Sequence, residues 1–242
     1  MKLEGRGALI TGASHGLGFA IAQALAREGA VVACMARPGA ALDQALERLR
    51  AGGARAIAAA ADVTREAEVA RAVPIALDAL PALDVLVLNA GTWQGASLAE
   101  TTEAQWDQLM NLNLKGAFLT LKHCVPALTS RGGATVIGIA SIGALVGQPG
   151  SSAYAASKWG LRGFLESAAL ELKPHRVRVT VIYPHQINSA GRALAAGAER
   201  DRALEPDDIA ELVVLACAAP SHVSMGDVSI WPLSAGIRDT MR

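Results

Sequence analysis

Ala8-Leu9-Ile10-Thr11-Gly12-Ala13-Ser14-His15-Gly16-Leu17-Gly18 sets an apolar run against a glycine-rich turn that opens an amphipathic stretch, Leu17–Glu28. An apolar strand that feeds straight into such a turn and then a helix is half of a βαβ unit. Glycines at 12, 16 and 18 let the chain turn tightly and let backbone N–H groups approach a pyrophosphate, with the helix N-terminus adding its positive dipole end. Gly12, Ser14, His15, Gly16, Leu17 and Gly18 are therefore candidate cofactor ligands.

Outward from this turn the pattern repeats. Short, continuously apolar runs at Ala8–Thr11, Ala30–Ala36, Arg55–Ala60, Val85–Asn89, Ala134–Ser141, Val177–Tyr183 and Val228–Trp231 read as parallel strands covered on both faces. Helices are expected at Leu17–Glu28, Ala40–Arg50, Glu66–Ala79, Glu103–Leu128, Ala153–Leu172 and Pro206–Ala218. Thr102 with Gln105 makes a capping signal, and Pro206 followed by Asp207 and Asp208 makes another. Strict alternation predicts an α/β doubly wound parallel sheet, a Rossmann fold of about seven strands with helices on both faces. With no linker, repeat or low-complexity tail in view, residues 1–242 read as one dinucleotide-binding domain. Residues 188–205, rich in Ala, Gly and Arg, do not fit the alternation; they follow the sixth strand and read as a substrate lid.

Composition narrows the function. Of 242 residues 52% are hydrophobic and 18% charged, which provides for a large core and excludes a disordered chain. Lys plus Arg and Asp plus Glu balance at 22 each, so nothing favours nucleic acid or an anionic membrane as a partner. Cys34, Cys124 and Cys217 lack the spacing of a metal site or a disulfide framework, and no metal is expected. The segment Met1-Lys2-Leu3-Glu4-Gly5-Arg6 carries no apolar leader, and a cytoplasmic protein is expected.

The second strand ends at Ala36-Arg37. An acid there would bind an adenosine ribose 2′-hydroxyl and repel a 2′-phosphate. Its absence, with Arg37 next to it and His15 in the turn, favours NADP(H) over NAD(H). Arg37 can equally be an exposed arginine in a turn before Pro38-Gly39.

Farther along, Tyr154 and Lys158 stand four apart on one helix face, thirteen residues beyond Ser141. A cation beside a phenol favours the phenolate, so a downward shift of the Tyr154 pKa is expected. Reduction of a carbonyl needs a hydride donor at carbon and a proton donor at oxygen; Tyr154 suits the second, and Ser141 can stabilise charge on the oxygen. Each residue also has a plain alternative. Ser141 can cap a turn before Gly143, Asn113 can be a buried helix amide, Tyr154 can be a packed aromatic, and Asp62 can cap the helix near Glu66.

Taken together these residues resemble the short-chain dehydrogenase/reductase family over nearly the whole chain. The carriers are the glycine turn, Asp62-Val63, Asn89-Ala90-Gly91, Asn113 in Leu112-Asn113-Leu114-Lys115-Gly116, and Ser141, Tyr154 and Lys158. The resemblance implies that Asp62 and Val63 hold the adenine and that Asn89, Ala90 and Gly91 wall the adenosine ribose. It also implies Tyr154 as general acid/base, Lys158 on the nicotinamide ribose and depressing the Tyr154 pKa, and Asn113 anchoring a water-linked proton relay through Lys158. Pro184, Ile187 and Ser189 would border the nicotinamide, with Ser189 where a threonine often meets the carboxamide. One departure is His185, which stands where the family has glycine; it either lines the pocket or turns to solvent. Another is Ile230-Trp231-Pro232-Leu233-Ser234-Ala235-Gly236 in place of a Gly-Gly segment.

The reading is an NADP(H)-dependent oxidoreductase for a carbonyl/secondary-alcohol pair. Ile142, Leu145, Val146, Trp93 and Leu194 suggest a weakly polar small-molecule substrate, whereas Arg192, Arg200 and Arg202 would suit an anion. A non-catalytic NADP(H) sensor on the same fold is the competing reading, weakened by the complete Ser141/Tyr154/Lys158 set. The family implies a homo-oligomer, a tetramer or dimer, in which the two long helices pair across subunits.

Overall fold

The computed structural model describes residues 1–188 and 203–234. Seven strands form one parallel sheet: β1 Gly7–Thr11, β2 Val31–Ala36, β3 Ala56–Ala60, β4 Val85–Leu88, β5 Thr135–Ile139, β6 Arg178–Pro184 and β7 Asp227–Ile230. Their spatial order is β3-β2-β1-β4-β5-β6-β7. The chain winds outward from β1 to β3, then restarts on the other side of β1 at β4. The direction reverses between β1 and β4, the place at the carboxyl ends of the strands where sheets of this kind form a ligand crevice. The glycine turn follows β1 and Asn89-Ala90-Gly91 follows β4, so this winding brings two distant motifs to one edge.

Helices α1 Gly16–Arg27, α2 Ala40–Ala51 and α7 Pro206–Ala218 cover one face; α3 Glu66–Ala79, α5 Gly116–Arg131 and α6 Ser152–Leu172 cover the other. Central strands β1, β2, β4, β5 and β6 are buried at every position, which explains their unbroken apolar sequence. The edge strands β3 and β7 are partly open. The expected cap of Thr102 with Gln105 forms as a reciprocal box at α4 Glu103–Leu109; at α7, Pro206, Asp207 and Asp208 occupy the first turn as expected, and Glu205, not marked in the sequence, makes a second box with Asp208.

The stretch expected as one helix over Glu103–Leu128 is divided. After α4 comes a π-helical turn, Met110–Lys115, and then α5, which runs to Arg131. The wider turn carries Asn113, fully buried, inward. Gly116, just beyond, lies so close to Val63 that an added Cβ would sit 2.8 Å from its methyl. A buried amide with fixed partners on one side and a tight helix contact on the other fit a turn with one extra residue.

Arg178, a charged residue in a central strand, is held at the opposite edge of the sheet through its two terminal nitrogens, while its buried Nε finds no partner among the described residues. Its guanidinium donates to the carbonyls of Cys217, Ala219, Pro220 and Val223 and to the Thr135 hydroxyl. Arg6 adds a bond to Cys217 O at 3.0 Å. Two cations thus cap the C-terminal end of α7, where the helix dipole is negative.

Candidate active site

Thr11 ties the two halves of the crevice together. Its hydroxyl accepts from Asn89 N at 2.9 Å and Ala90 N at 3.0 Å, and donates to Val87 O at 3.3 Å. Asn89 Nδ2 returns a bond to Thr11 O at 2.9 Å. Gly12 and Gly16 have φ of +68° and +55°, a region that side chains disfavour. A Cβ on Gly18 would fall 2.2 Å from Gly12 O, so the turn closes on the helix backbone with no room for a methyl.

At the N-terminus of α1 no side chain caps the first amides, and the first turn holds no acid. His15, the N-cap residue, is exposed, and Ser14 and Leu17 are half-buried. Free amide donors, a positive dipole end and the absence of a competing carboxylate fit a dinucleotide pyrophosphate. Arg37 is exposed after β2.

Asp62 follows β3. Its Oδ1 accepts from Thr64 N at 2.9 Å and Thr64 Oγ1 at 2.8 Å. Partial burial pushes the carboxyl up, but the two Thr64 donors, with Arg37 and Arg65 nearby, outweigh it and hold the group below the usual carboxylate range. Asp62 therefore does not cap the helix at Glu66, whose N-cap residue is Arg65 with no side-chain cap bond; it closes a local turn with Thr64 instead. The Val63 side chain is buried in the core against Gly116, so little of it remains for an adenine ring.

The second constellation lies beyond β4 and β5. Ser141 is the N-cap of a 3₁₀ turn, Ile142–Ala144, and its Oγ accepts from Gly143 N at 3.1 Å. The same hydroxyl lies beside the edge of the Tyr154 ring, both bordering Gly143. Tyr154 packs against Gly143, where an added Cβ would stand 3.2 Å from the ring. One turn on, Lys158 is buried, its Nζ 3.0 Å from Ile139 O and 5.9 Å from the Tyr154 ring centroid. Among the described residues no carboxylate pairs with it.

Asn113 completes the group. Its Nδ2 donates to Thr92 O at 3.0 Å and Ser157 Oγ at 2.9 Å, while its Oδ1 accepts from Thr92 N at 2.8 Å. Ser157 Oγ in turn donates to Tyr154 O at 2.7 Å. A methyl at Gly91 would sit 3.0 Å from Asn113 Oδ1 and 3.5 Å from Lys158 Nζ. Asn113, Ser141, Tyr154, Lys158 and Gly91 therefore converge. Both amide hydrogens of Asn113 are committed to protein atoms.

The expected downward shift of Tyr154 is reversed. Burial pushes the phenol above its ordinary value, and the Ser141 hydroxyl only partly opposes it. Lys158 does not compensate, because burial without a counter-ion pushes its own pKa down to about 8. An orphaned, buried ammonium with spare donors fits a ribose diol, which would satisfy them without adding charge.

Pro184 ends β6, and Ile187 forms an isolated bridge with Leu204. Ser189, Leu194, Arg192, Arg200, Arg202 and most of the 188–205 segment lie outside the described residues. The ends of that segment are joined: Asn188 N donates to Leu204 O at 2.7 Å, and Asn188 Nδ2 lies 3.2 Å from Glu205 Oε1. Of the pocket residues expected from sequence, Ile142 is buried, Leu145 and Val146 are half-buried, and Trp93 is 56% exposed. Sequence reading missed Thr11, Thr92 and Ser157; each works through a hydroxyl or backbone group that no motif spacing marks. Among the described residues no cluster of His, Cys, Asp or Glu could hold a metal, and no helix is long and apolar enough to cross a membrane.

Comparison with known proteins bears on this geometry. The short chain dehydrogenase family model matches residues 6–198. Glycine betaine reductase ATRR of Emericella nidulans is 34% identical over 95% of this chain, which spans only 19% of that longer protein. Human dehydrogenase/reductase SDR family member 4 is 31% identical over 94% of this chain and 86% of its own. A crystal structure of a metagenomic short-chain oxidoreductase in complex with NADP superposes with a TM-score of 0.83 at 35% identity, covering 96% of this chain and 99% of the other. The chain belongs to the short-chain dehydrogenase family and is an NAD(P)-dependent oxidoreductase.

Proposed function

We propose that the protein is an NADP(H)-dependent carbonyl reductase that interconverts a carbonyl and a secondary alcohol, with Tyr154 as the general acid/base. The observation that carries this reading is the convergence of Ser141 Oγ and the Tyr154 ring edge over Gly143, one helix turn from a buried Lys158 without a counter-ion among the described residues, at the carboxyl edge of the sheet. The dinucleotide, when bound, supplies the hydride. Tyr154 holds a proton at its hydroxyl, and its raised pKa keeps that proton in place at neutral pH, as an acid for a nascent alkoxide must. Ser141, fixed by Gly143 N, is placed to donate to the same oxygen. Lys158 is held by Ile139 O and is placed for ribose hydroxyls. Asn113 fixes the Thr92 segment and, through Ser157, the backbone of Tyr154.

Preference for NADP(H) rests on Ala36, which brings no acid to the end of β2, and on Arg37 and His15, both exposed near the turn. The NADP bound by the metagenomic relative supports the same choice. We read residues 1–242 as one domain, with 188–205 as the substrate lid, Pro184, Ile187 and Ser189 bordering the nicotinamide, and Asp62, Asn89, Ala90 and Gly91 bordering the adenosine. Exposed Phe118 on α5 and Trp159 on α6 support pairing between copies of the chain.

The test is Tyr154→Phe assayed with NADPH over a broad carbonyl panel. Loss of turnover with retained NADPH binding is expected; unchanged turnover removes Tyr154 as the acid. A sensor without chemistry would oxidise no NADPH on any member of the panel.

A further inference from the structure

His185 occupies a position where a backbone without a side chain would leave clearance. The register pairs Pro184 with Ile230, and His185 N donates to Ile230 O at 3.0 Å, so the next step sets His185 beside Trp231. In β6, Val179, Val181 and Tyr183 pack on the α5–α6 side, while Ile182 packs on the α1–α7 side. In β7, Ile230 also packs on the α1–α7 side. Alternation therefore brings His185 and Trp231 out together on the α6 face, the face that carries Tyr154 and Lys158. The neighbouring strand reaches the same edge: Ile139 of β5 pairs with Ile182 and Ala140 N bonds Ile182 O at 2.9 Å, so continuing the register sets the backbone of Ser141 opposite Pro184, one residue before His185.

The two rings stack, with centroids 5.1 Å apart and a tilt of 32°. His185 Nδ1 and Trp231 Nε1 are both buried and, among the described residues, have no hydrogen-bond partner. Contact rather than hydrogen bonding holds the rings. Burial pushes the His185 pKa down, which leaves the imidazole neutral at neutral pH and offers an anion no charge. A rigid, uncharged pair of rings acts by shape.

We propose that His185, braced by Trp231, sets the size limit of the substrate: its imidazole fills the space beside Ser141 and restricts the enzyme to carbonyls with at least one small substituent. The proposal rests on the carbonyl-reductase reading. His185 is the specificity-determining residue, and Trp231 is a positioning residue that acts through it.

The experiment compares kcat/KM with NADPH for butan-2-one, which has a methyl on one side, and octan-4-one, which has none. His185→Gly and His185→Ala should raise the octan-4-one/butan-2-one ratio by about tenfold or more, the scale on which hydrophobic pockets discriminate small groups. His185→Phe should keep the parental ratio. Trp231→Ala should raise it in part, and Trp231→Phe, which preserves the stack, should restore it. Circular dichroism melts identify variants that fold, and the Gly and Ala changes serve as alternates. A ratio within about twofold of the parent in folded His185→Gly or His185→Ala overturns the size limit but leaves the reductase reading intact. So does a parent that reduces both ketones equally well. A parent that reduces no carbonyl overturns the reading, and the size limit with it.

Discussion

Replacing Lys158 with methionine should stabilise the fold at neutral pH while abolishing the proposed activity. The magnitude follows from burial. Lys158 has no counter-ion among the described residues, and its pKa falls from 10.5 to about 8. At roughly 1.4 kcal/mol per pKa unit, holding the cation costs the folded state about 3 kcal/mol at pH 7. Below pH 8 both states are protonated and the whole cost is present. Between pH 8 and 10.5 the folded protein releases its proton while the unfolded chain keeps it, so stability rises with pH. Methionine removes the cost but also the bond to Ile139 O, about 1 kcal/mol at any pH. The variant should thus be more stable by about 2 kcal/mol at pH 7, with that advantage mostly gone by about pH 9.5 and cancelled at about pH 10.

Three buried thiols pull the other way. Cys34, Cys124 and Cys217 are each pushed up from 9.0 to about 12 by burial, so the unfolded chain ionises first and stability falls above pH 9. Parent and variant share that loss, and their difference isolates Lys158. The assay is urea unfolding of both proteins by tryptophan fluorescence at pH 7, 8, 9 and 9.5. A difference that stays constant across the series to within about 0.5 kcal/mol would refute the reasoning.

Two further outcomes follow from the crevice. Gly18→Ala places a methyl 2.2 Å from Gly12 O of the turn and 2.5 Å from Asn89 Nδ2, the side chain after β4 that bonds Thr11 O. It should cost about 1–3 kcal/mol of stability and weaken NADPH binding in a fluorescence titration; undiminished affinity would show that the turn is not the dinucleotide site. Ala36→Asp supplies the missing acid and should lower the NADPH/NADH ratio of kcat/KM by about tenfold, or about 1.4 kcal/mol; a ratio that does not move would place the discrimination elsewhere.

Much of the sheet was legible because buried parallel strands write themselves as continuous apolar runs. Glu66–Ala79 and Pro206–Ala218 were legible to the residue, since caps and acidic first turns mark where those helices start. The break at Met110–Lys115 was not, because a π turn leaves the apolar period almost unchanged and its cause, the Asn113 contacts with Thr92 and Ser157, comes from residues far off in sequence. The Tyr154 pKa was misread for a related reason. Spacing shows that a cation is near but not that Lys158 is buried and Tyr154 largely so, and desolvation decides the sign. Thr11 escaped notice because its hydroxyl bonds groups seventy-six to seventy-nine residues away.

The joined ends at Asn188 and Leu204 have a practical consequence. Because Asn188 and Leu204 bond to each other at one doorway, residues 189–203 can be exchanged for a stretch of another length without re-registering any strand. Chimeras made at that doorway would keep the glycine turn and the Tyr154 proton donor while replacing the proposed lid together with Ser189.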